Sequence, residues 1–558
     1  MRTIRFLLAA TASLVLILLQ AGPGALDAAA QGSAALTGQV TSAEEGAMEG
    51  VIVSARKDGS TITISVVSDA QGRYSFPAAK LEPGRYSLKI RAVGYQLDGP
   101  AAAEVAPGKT ATADLKLRKT RNLSAQLTNA EWLASMPGTE SQKKFLLNCM
   151  GCHSLQRIVA TTYDADGFLQ VLERMSGYYP GSTPQFPQRL VGTARRQGLL
   201  TGPGSRANAE WLASINLSSA STWEYPLKTL PRPTGRATRV VITEYDLPQI
   251  QIQPHDVMLD RAGSVWYSDF GQMFLGEMDP KTGKVVQYPI PVVKPGWPVG
   301  TLNLEIDKDD NPWVGVMYQS AIAKLDKKTG KFQTWSTPKD WDTDAGQLGH
   351  IAIEGTPLDN KVWVKNSDGG NIYRLDLLSN KLENLGSFKD PRTGKRIGTY
   401  GIHSDAQNNA YLLDFAAGNI VRIDAKTRNA TVYPTPTPDS RPRRGRVDRE
   451  GRLWFAEYQG NGIGMFDPRT ERITEWKVPT PWSAPYDVIL DRNGEAWTGS
   501  MLNDRVARID TRTGRVTEYL LPRSTNIRRV FVDNTTDPVT FWVGSNHGAS
   551  IVKLETLD

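Results

Sequence analysis

The chain of 558 residues holds two cysteines, Cys149 and Cys152, in the string NCMGCHS, with His153 directly after the second. Two thiols at this spacing followed by an imidazole form the pattern of covalent c-type haem attachment. The thiols would make thioethers with the two vinyl groups of one haem, and His153 would ligate the iron. The chemistry such a group supplies is one-electron transfer. A thioredoxin-like C-x-x-C needs a βαβ setting and a zinc site needs further Cys or His at ligand spacing; neither is visible around residue 149. A disulfide across so short a loop would leave the histidine without a role.

The elements that must position this cluster are helical. AEWLASM, SQKKFLLNCMGCHSLQRI, FLQVLERM and a closing AEWLASINL follow one another between residues 121 and 222, with the order helix, motif, helix, closing helix. This segment resembles class I cytochromes c over roughly a hundred residues, and the C-x-x-C-H cluster carries the resemblance. The resemblance implies a methionine on the far side of the iron, which raises the potential. Met175 in VLERMSGYYPG is the candidate for that ligand and Met136 the runner-up; Met150 lies inside the motif and points elsewhere. A methionine on an apolar helix face also serves as plain core.

Residues 1–30 read as a signal peptide, with Arg2 and Arg5, an apolar run from Phe6 to Leu19, and Ala28-Ala29-Ala30 as the cleavage site. The run is shorter than the roughly 20 residues that span a bilayer, so no membrane span is expected in the mature protein. Haem attachment takes place outside the cytoplasm, so leader and motif agree on a periplasmic or secreted location. A net charge of +7 with 22% charged residues is mild for this length. It favours acidic redox partners, and no basic–aromatic stripe suggests nucleic acid.

The C-terminal half is repetitive, and repeats determine a fold more strongly than local propensity. Trp266, Trp313, Trp363, Tyr411, Trp454, Trp497 and Trp542 recur at intervals of 43 to 50 residues. After each comes a strand ending in a turn such as MDPKTG, FDPRTE or IDTRTG, then an outer strand such as ITEWKVP. These are four-stranded blades, seven in number. The last repeat stops at IVKLETLD without an outer strand, while VITEYDLP, Val241 to Pro248, is an outer strand with no blade before it. Joining them closes the ring and removes the exposed edges. The predicted fold is therefore multidomain and mainly β: a small β-sandwich at 34–119, an α-helical cytochrome c domain at 121–222, a Pro-rich basic linker at 223–239 and a seven-bladed β-propeller at 240–558.

The propeller repeat resembles the streptogramin (virginiamycin B) lyase family, best in LWFAEYQGNGIGMFDPRTERITEWKVP, Leu453 to Pro479. That resemblance implies a Mg²⁺-dependent elimination that opens a lactone ester, using a histidine and metal-holding glutamates. It does not assign those roles to numbered positions here. From 34 to 119, alternating strands with Gly38-Gln39-Val40, Asp69 to Phe76 and Pro83 to Tyr95 resemble the carboxypeptidase regulatory-like domain, a carbohydrate-binding-like sandwich. Such domains act as spacers or as weak carbohydrate or protein binders, and a passive stalk is the reading preferred here.

Aligning the repeats puts Asp256, Asn303, His350, Gly401, Arg444, Asp487 and Arg529 in one column at the start of the innermost strand. Strand alternation aims that column at the channel mouth. His255, His403, Asp269, Asp414 and Glu457 fall near it. His255 and Glu457 are the candidate catalytic pair, since His and carboxylates can serve as base and metal site, although ordinary polar lining fits them as well. Arg441, Arg443, Arg444 and Arg446, with Arg528 and Arg529, make part of the rim basic, suited to an anionic ligand or an acidic partner.

Three functions follow. The first is a periplasmic electron carrier whose propeller binds a partner or small ligand. The second is a Mg²⁺-dependent C–O lyase with an accessory cytochrome. The third is a non-catalytic platform docking a dehydrogenase.

Overall fold

In the computed structural model, which describes residues 33–192 and 200–558, the 43-to-50-residue repeat has a simple local cause. Asp260, six residues before Trp266, accepts the backbone amides of Ala262 and Ser264 at 3.0 and 2.9 Å through one oxygen and the indole of Trp266 at 2.9 Å through the other. One carboxylate thus folds the turn and fixes the aromatic that follows. The pairs Asp307–Trp313, Asp448–Trp454 and Asp491–Trp497 repeat the bond at 2.8 to 2.9 Å, and Asp405 takes the Tyr411 hydroxyl at 3.2 Å. Blades 3 and 7 depart from the pattern, the Trp542 indole of blade 7 donating to Thr540 Oγ1 at 3.0 Å. In blade 3 Pro357 stands six before Trp363, a short helix Thr356–Asp359 fills the turn, and the indole donates to the Asn408 carbonyl instead.

Six four-stranded antiparallel sheets follow one another from Pro254 to Leu520. The seventh is built from both ends: Ile527–Asp533, Thr540–Ser545 and Ser550–Thr556 are completed by Val240–Asp246, paired antiparallel to Ser550–Thr556 from Val240↔Thr556 to Asp246↔Ser550. The innermost strands contact each other in cyclic order, the first against the last. The ring is therefore closed by the hydrogen bonds of the two-ended seventh sheet, which leaves the array of blades without an open end. Between blades, apolar layers exclude water; Leu304, Val314, Leu275 and Trp266 are all essentially buried in one of them.

Residues 33–119 form a unit of their own, two β-sheets with strands Ile62–Val67, Ile52–Lys57, Gly84–Arg91 and Ala101–Val105 in one and Ala34–Ser42 at the centre of the other. The Asp69 carboxylate folds its turn by accepting the amides of Gln71 and Arg73, each at 2.9 Å.

The middle segment, expected as a helical cytochrome c domain at 121–222 followed by a Pro-rich linker at 223–239, shows no clear domain of that kind. Its helices are short: Asn129–Ser135, Glu140–Phe145, Gln156–Val159, Ala165–Ser176 and Ser205–Ile215. Residues 120–558 are one compact unit. Helices of this length bury too little among themselves and lean on the propeller: the Ala130 amide donates to Leu502 at 2.9 Å. The supposed linker is strapped down, with Lys228 and Leu230 donating to Ser135 and Glu131, each at 2.7 Å, and Trp223 edge-on to Trp132. The signal peptide expected at 1–30 lies outside the described residues. Among those described, no helix is long and apolar enough to cross a membrane.

Candidate functional site

The column of inner-strand residues ends up inside the ring. In six of the seven blades the inner strand carries a register shift at this point, between Pro254 and Val257 in blade 1 and at the equivalent places in blades 2, 4, 5, 6 and 7. A bulge leaves two residues facing one and re-aims both. One goes into the channel, and its predecessor goes to the mouth. The channel set includes Asp256, Asn303, Arg444, Asp487 and Arg529; the mouth set includes Tyr400, Arg443, Tyr486 and Arg528.

The channel set is buried and mutually bonded. Arg444 grips Asp256 through both oxygens at 3.0 Å and reaches Asn303 at 3.1 Å. Arg529 meets Asp256 at 3.3 Å and Glu305 at 2.7 Å, and Arg446 bonds Asp487 at 3.0 Å. Burial opposes ionisation of Asp256, but Arg444 first, then His255 and Arg529, hold its carboxyl well below the usual range. Arg444 and Arg529 are thus not rim residues, as the sequence suggests: both are fully buried, because the bulge turns them to the axis. His403 accepts the Gly445 amide at 3.2 Å. Asp269 and Asp414, at equivalent strand ends, accept loop amides at 2.9 Å from Gly271 and Gly398.

His255 connects this core to the mouth. Its Nδ1 bonds Asp256 at 2.6 Å, its Nε2 meets the Tyr486 hydroxyl at 3.1 Å, and Tyr486 meets the Tyr400 hydroxyl at 2.5 Å. Burial pushes His255 down to about 4, so the ring is neutral at pH 7. Tyr400 moves the other way from most buried tyrosines. Burial raises it, yet Arg443 and Arg528 pull it down to about 8. Proton exchange between Tyr400 and the His255–Asp256 pair has a continuous hydrogen-bonded path. Glu457, the other candidate catalytic residue, is fully buried but does not line the mouth; burial and then Glu475 push it up to about 8, leaving it protonated at neutral pH.

Above the mouth lies the cysteine segment. Asn526 donates to the Met150 carbonyl at 3.2 Å, while Arg528 and His547 reach the Gly151 carbonyl at 3.2 and 3.1 Å. Between the two surfaces is a cavity of about 510 Å³, with Asn148, Gly151 and Cys152 on one side and His350, Tyr400 and Arg443 on the other. That volume falls in the range of about 300–1,000 Å³ usual for cofactor and small-ligand sites. Phe270, Leu302, Met317 and Tyr318 make an apolar wall with Tyr179 from the middle segment.

Cys149, Cys152 and His153 are the residue types that would hold a c-type haem, and of the three Cys152 lines the cavity. Cys149 and Cys152 are thiols, not joined in a disulfide, and burial pushes Cys149 up to about 12. His153 Nδ1 donates to the Ser154 carbonyl at 3.0 Å, and burial lowers its pKa. The neutral ring therefore keeps its Nε2 lone pair for a metal. Met175 is half-buried on the helix Ala165–Ser176 and does not line the cavity, and Met136 is buried at a helix end; the cavity methionines are Met317 and Met501. A Mg²⁺ site fits less well. Among the described residues no three His, Cys, Asp or Glu converge as metal ligands, and the Asp256 carboxylate is already occupied by His255 and two arginines.

Residues 388–557 match the Virginiamycin B lyase family and residues 35–118 the Carboxypeptidase regulatory-like domain; the cysteine segment lies outside both. No curated protein matches the chain. Similar solved structures include a streptogramin B lyase, 22% identical over 58% of this chain and 100% of that one with a TM-score of 0.49. Others are the virginiamycin B lyase of Staphylococcus aureus, 23% identical over 56% and 99% with a TM-score of 0.48, and the RRP9 WD40 repeats, 11% identical over 56% and 97% with a TM-score of 0.43.

Proposed function

We propose that this protein is a periplasmic or secreted c-type haem protein that carries single electrons, with its haem held between the cysteine segment and the propeller mouth. The observation that carries this reading is the opening of Cys152, within C-x-x-C-H, onto the 510 Å³ cavity whose far wall is the propeller. Cys149 and Cys152 would hold the group covalently and His153 would ligate its iron; the haem supplies reversible one-electron chemistry. The chain's own residues do the rest. Phe270, Leu302, Met317 and Phe415 would pack on the faces of the group, and the cations of the cavity wall, Lys365, Arg443 and Arg528, would tune its potential. Tyr400, Tyr486 and His255 store and move a proton at the cavity wall. The donor would be a dehydrogenase or similar partner.

The test is expression with a haem c maturation system. A mass increased by one haem and a reduced-minus-oxidised c-type spectrum are expected; a colourless chain of apo mass refutes the reading. A second reading, a C–O lyase acting on cyclic depsipeptides or similar esters, is favoured by the family match over 388–557. It would use the Tyr400–His255 path as its base. Turnover of a streptogramin by a Cys149→Ser/Cys152→Ser chain, abolished by Tyr400→Phe, would favour it over electron transfer.

A further inference from the structure

The cavity holds more positive charge than its walls neutralise. Lys365, Arg441, Arg443 and Arg528 line it with a single carboxylate, Asp368, and Asp368 accepts the Thr343 hydroxyl at 2.5 Å. Lys365 is 5% exposed and Arg528 4%, yet their polar contacts are to neutral oxygens: Ser367 Oγ at 3.0 Å and the Gly151 carbonyl at 3.2 Å. Arg443 is stacked among the rings of Tyr400, Tyr458 and Tyr486 at 4.3 to 4.6 Å and, among the described residues, its side chain bonds the Tyr400 hydroxyl and the Met501 sulfur. The Nε atoms of Arg443 and Arg528 and both ring nitrogens of His350, all buried, have no partner among the described residues. Burying cations without anions is costly unless a ligand supplies the countercharge. Burial pushes Lys365 down to about 8, in keeping with that missing anion.

We infer that the propeller mouth is a binding site for a carboxylate carried on a planar unsaturated ring, with Lys365, Arg443 and Arg528 taking the carboxylate and Tyr400, Phe415 and Tyr458 flanking the ring. Arginine forks match carboxylates in two-point bonds, and the aromatic faces select a flat body. Two sources have this chemistry: the propionates of the attached haem and a free aromatic acid. The first rests on the haem reading and the second does not.

The experiment uses the full chain, haem-loaded and as Cys149→Ser/Cys152→Ser, with benzoate as probe and benzyl alcohol as the uncharged control, read by calorimetry. Lys365→Met and Arg528→Gln are the variants, each checked by its melting curve. A free acid site predicts benzoate binding to the loaded chain, weakened about tenfold by each variant, with benzyl alcohol silent. Propionate occupancy predicts benzoate binding to the double-serine chain alone, and a lower midpoint potential in loaded Lys365→Met, because losing a cation favours the ferric state. Should the double-serine chain not fold, that potential decides. Benzoate binding to neither chain with an unmoved potential, or binding indifferent to both variants, overturns the inference. A chain that carries no haem defeats the electron-carrier reading, and its benzoate binding still decides this one.

Discussion

The channel and its mouth are built from neighbouring residues of the same strands, yet they treat charge in opposite ways. Inside, each charge has its counterion: Asp256 with Arg444 and Arg529, Glu305 with Arg529, Asp487 with Arg446. At the mouth, Arg443 and Arg528, one residue earlier, and Lys365, from the neighbouring strand of blade 3, have none among the described residues. A buried network that satisfies itself holds a ring together and has nothing left to offer a ligand. Unmatched cations around an enclosed volume do the reverse, lowering stability while leaving an attractive field. Position 256 and its charged equivalents therefore read as structure, position 400 and its neighbours, with His350, as function.

The comparison breaks most readily at Asp256. Asp256→Asn leaves Arg444 and Arg529 short of a counterion and is expected to cost roughly 3–5 kcal/mol, read as a fall in the urea midpoint. A variant within about 1 kcal/mol of the parent would show that the channel ions are not structural.

Glu457 gives the next effect. Its folded pKa, about 8, lies above the unfolded value, so the protonated carboxyl stabilises fully at pH 4 and the contribution fades as pH rises through 8. Glu457→Gln should flatten that decline, seen in melting temperatures from pH 4.5 to 8.

At the mouth the sign reverses. Lys365 is depressed to about 8 in the folded chain, so between pH 8 and its unfolded value the unfolded chain binds the extra proton and stability rises with pH. Tyr400, also lowered to about 8, adds to the same rise. Lys365→Met should be neutral or stabilising by about 1 kcal/mol at pH 7 and should shrink the rise above pH 8. A marked loss of stability would place Lys365 with the channel ions instead. The smallest effect is expected at Met175, which is not among the residues lining the cavity: Met175→Leu should leave the haem spectrum unchanged, whereas a lost methionine–iron band would make Met175 the distal ligand.

Much of the fold can be read from residue order. The Asp–aromatic unit six residues apart fixes a turn and a core aromatic together in five of the seven blades, so the repeat is a local signal summed over several units, and the two-ended closure at Val240–Asp246 follows from it. Two of the helices between 121 and 222 are also marked, by Thr128 and Thr139 with Glu131 and Gln142 three residues on, each a complete capping box. Their dependence on the propeller is not visible, because contacts such as Asn526 to Met150 span more than 370 positions. The same holds for the site. Alternation places Asp256 and Arg444 toward the axis, but a two-state alternation sends their predecessors to the opposite face. The bulge cancels that, bringing Tyr400, Arg443, Tyr486 and Arg528 to the mouth. A signal did exist: aromatic or cationic residues precede the column in blades 4, 5, 6 and 7, where a packed inter-blade face would call for aliphatic ones.

Whether C-x-x-C-H anchors a haem against the propeller mouth is read from the intact mass and reduced-minus-oxidised spectrum of the full chain made with a haem c maturation system. One covalent haem, lost in Cys149→Ser/Cys152→Ser and shifted in potential by Lys365→Met, is the predicted result. A colourless chain of unmodified mass, or a haem whose potential ignores the mouth cations, would contradict it.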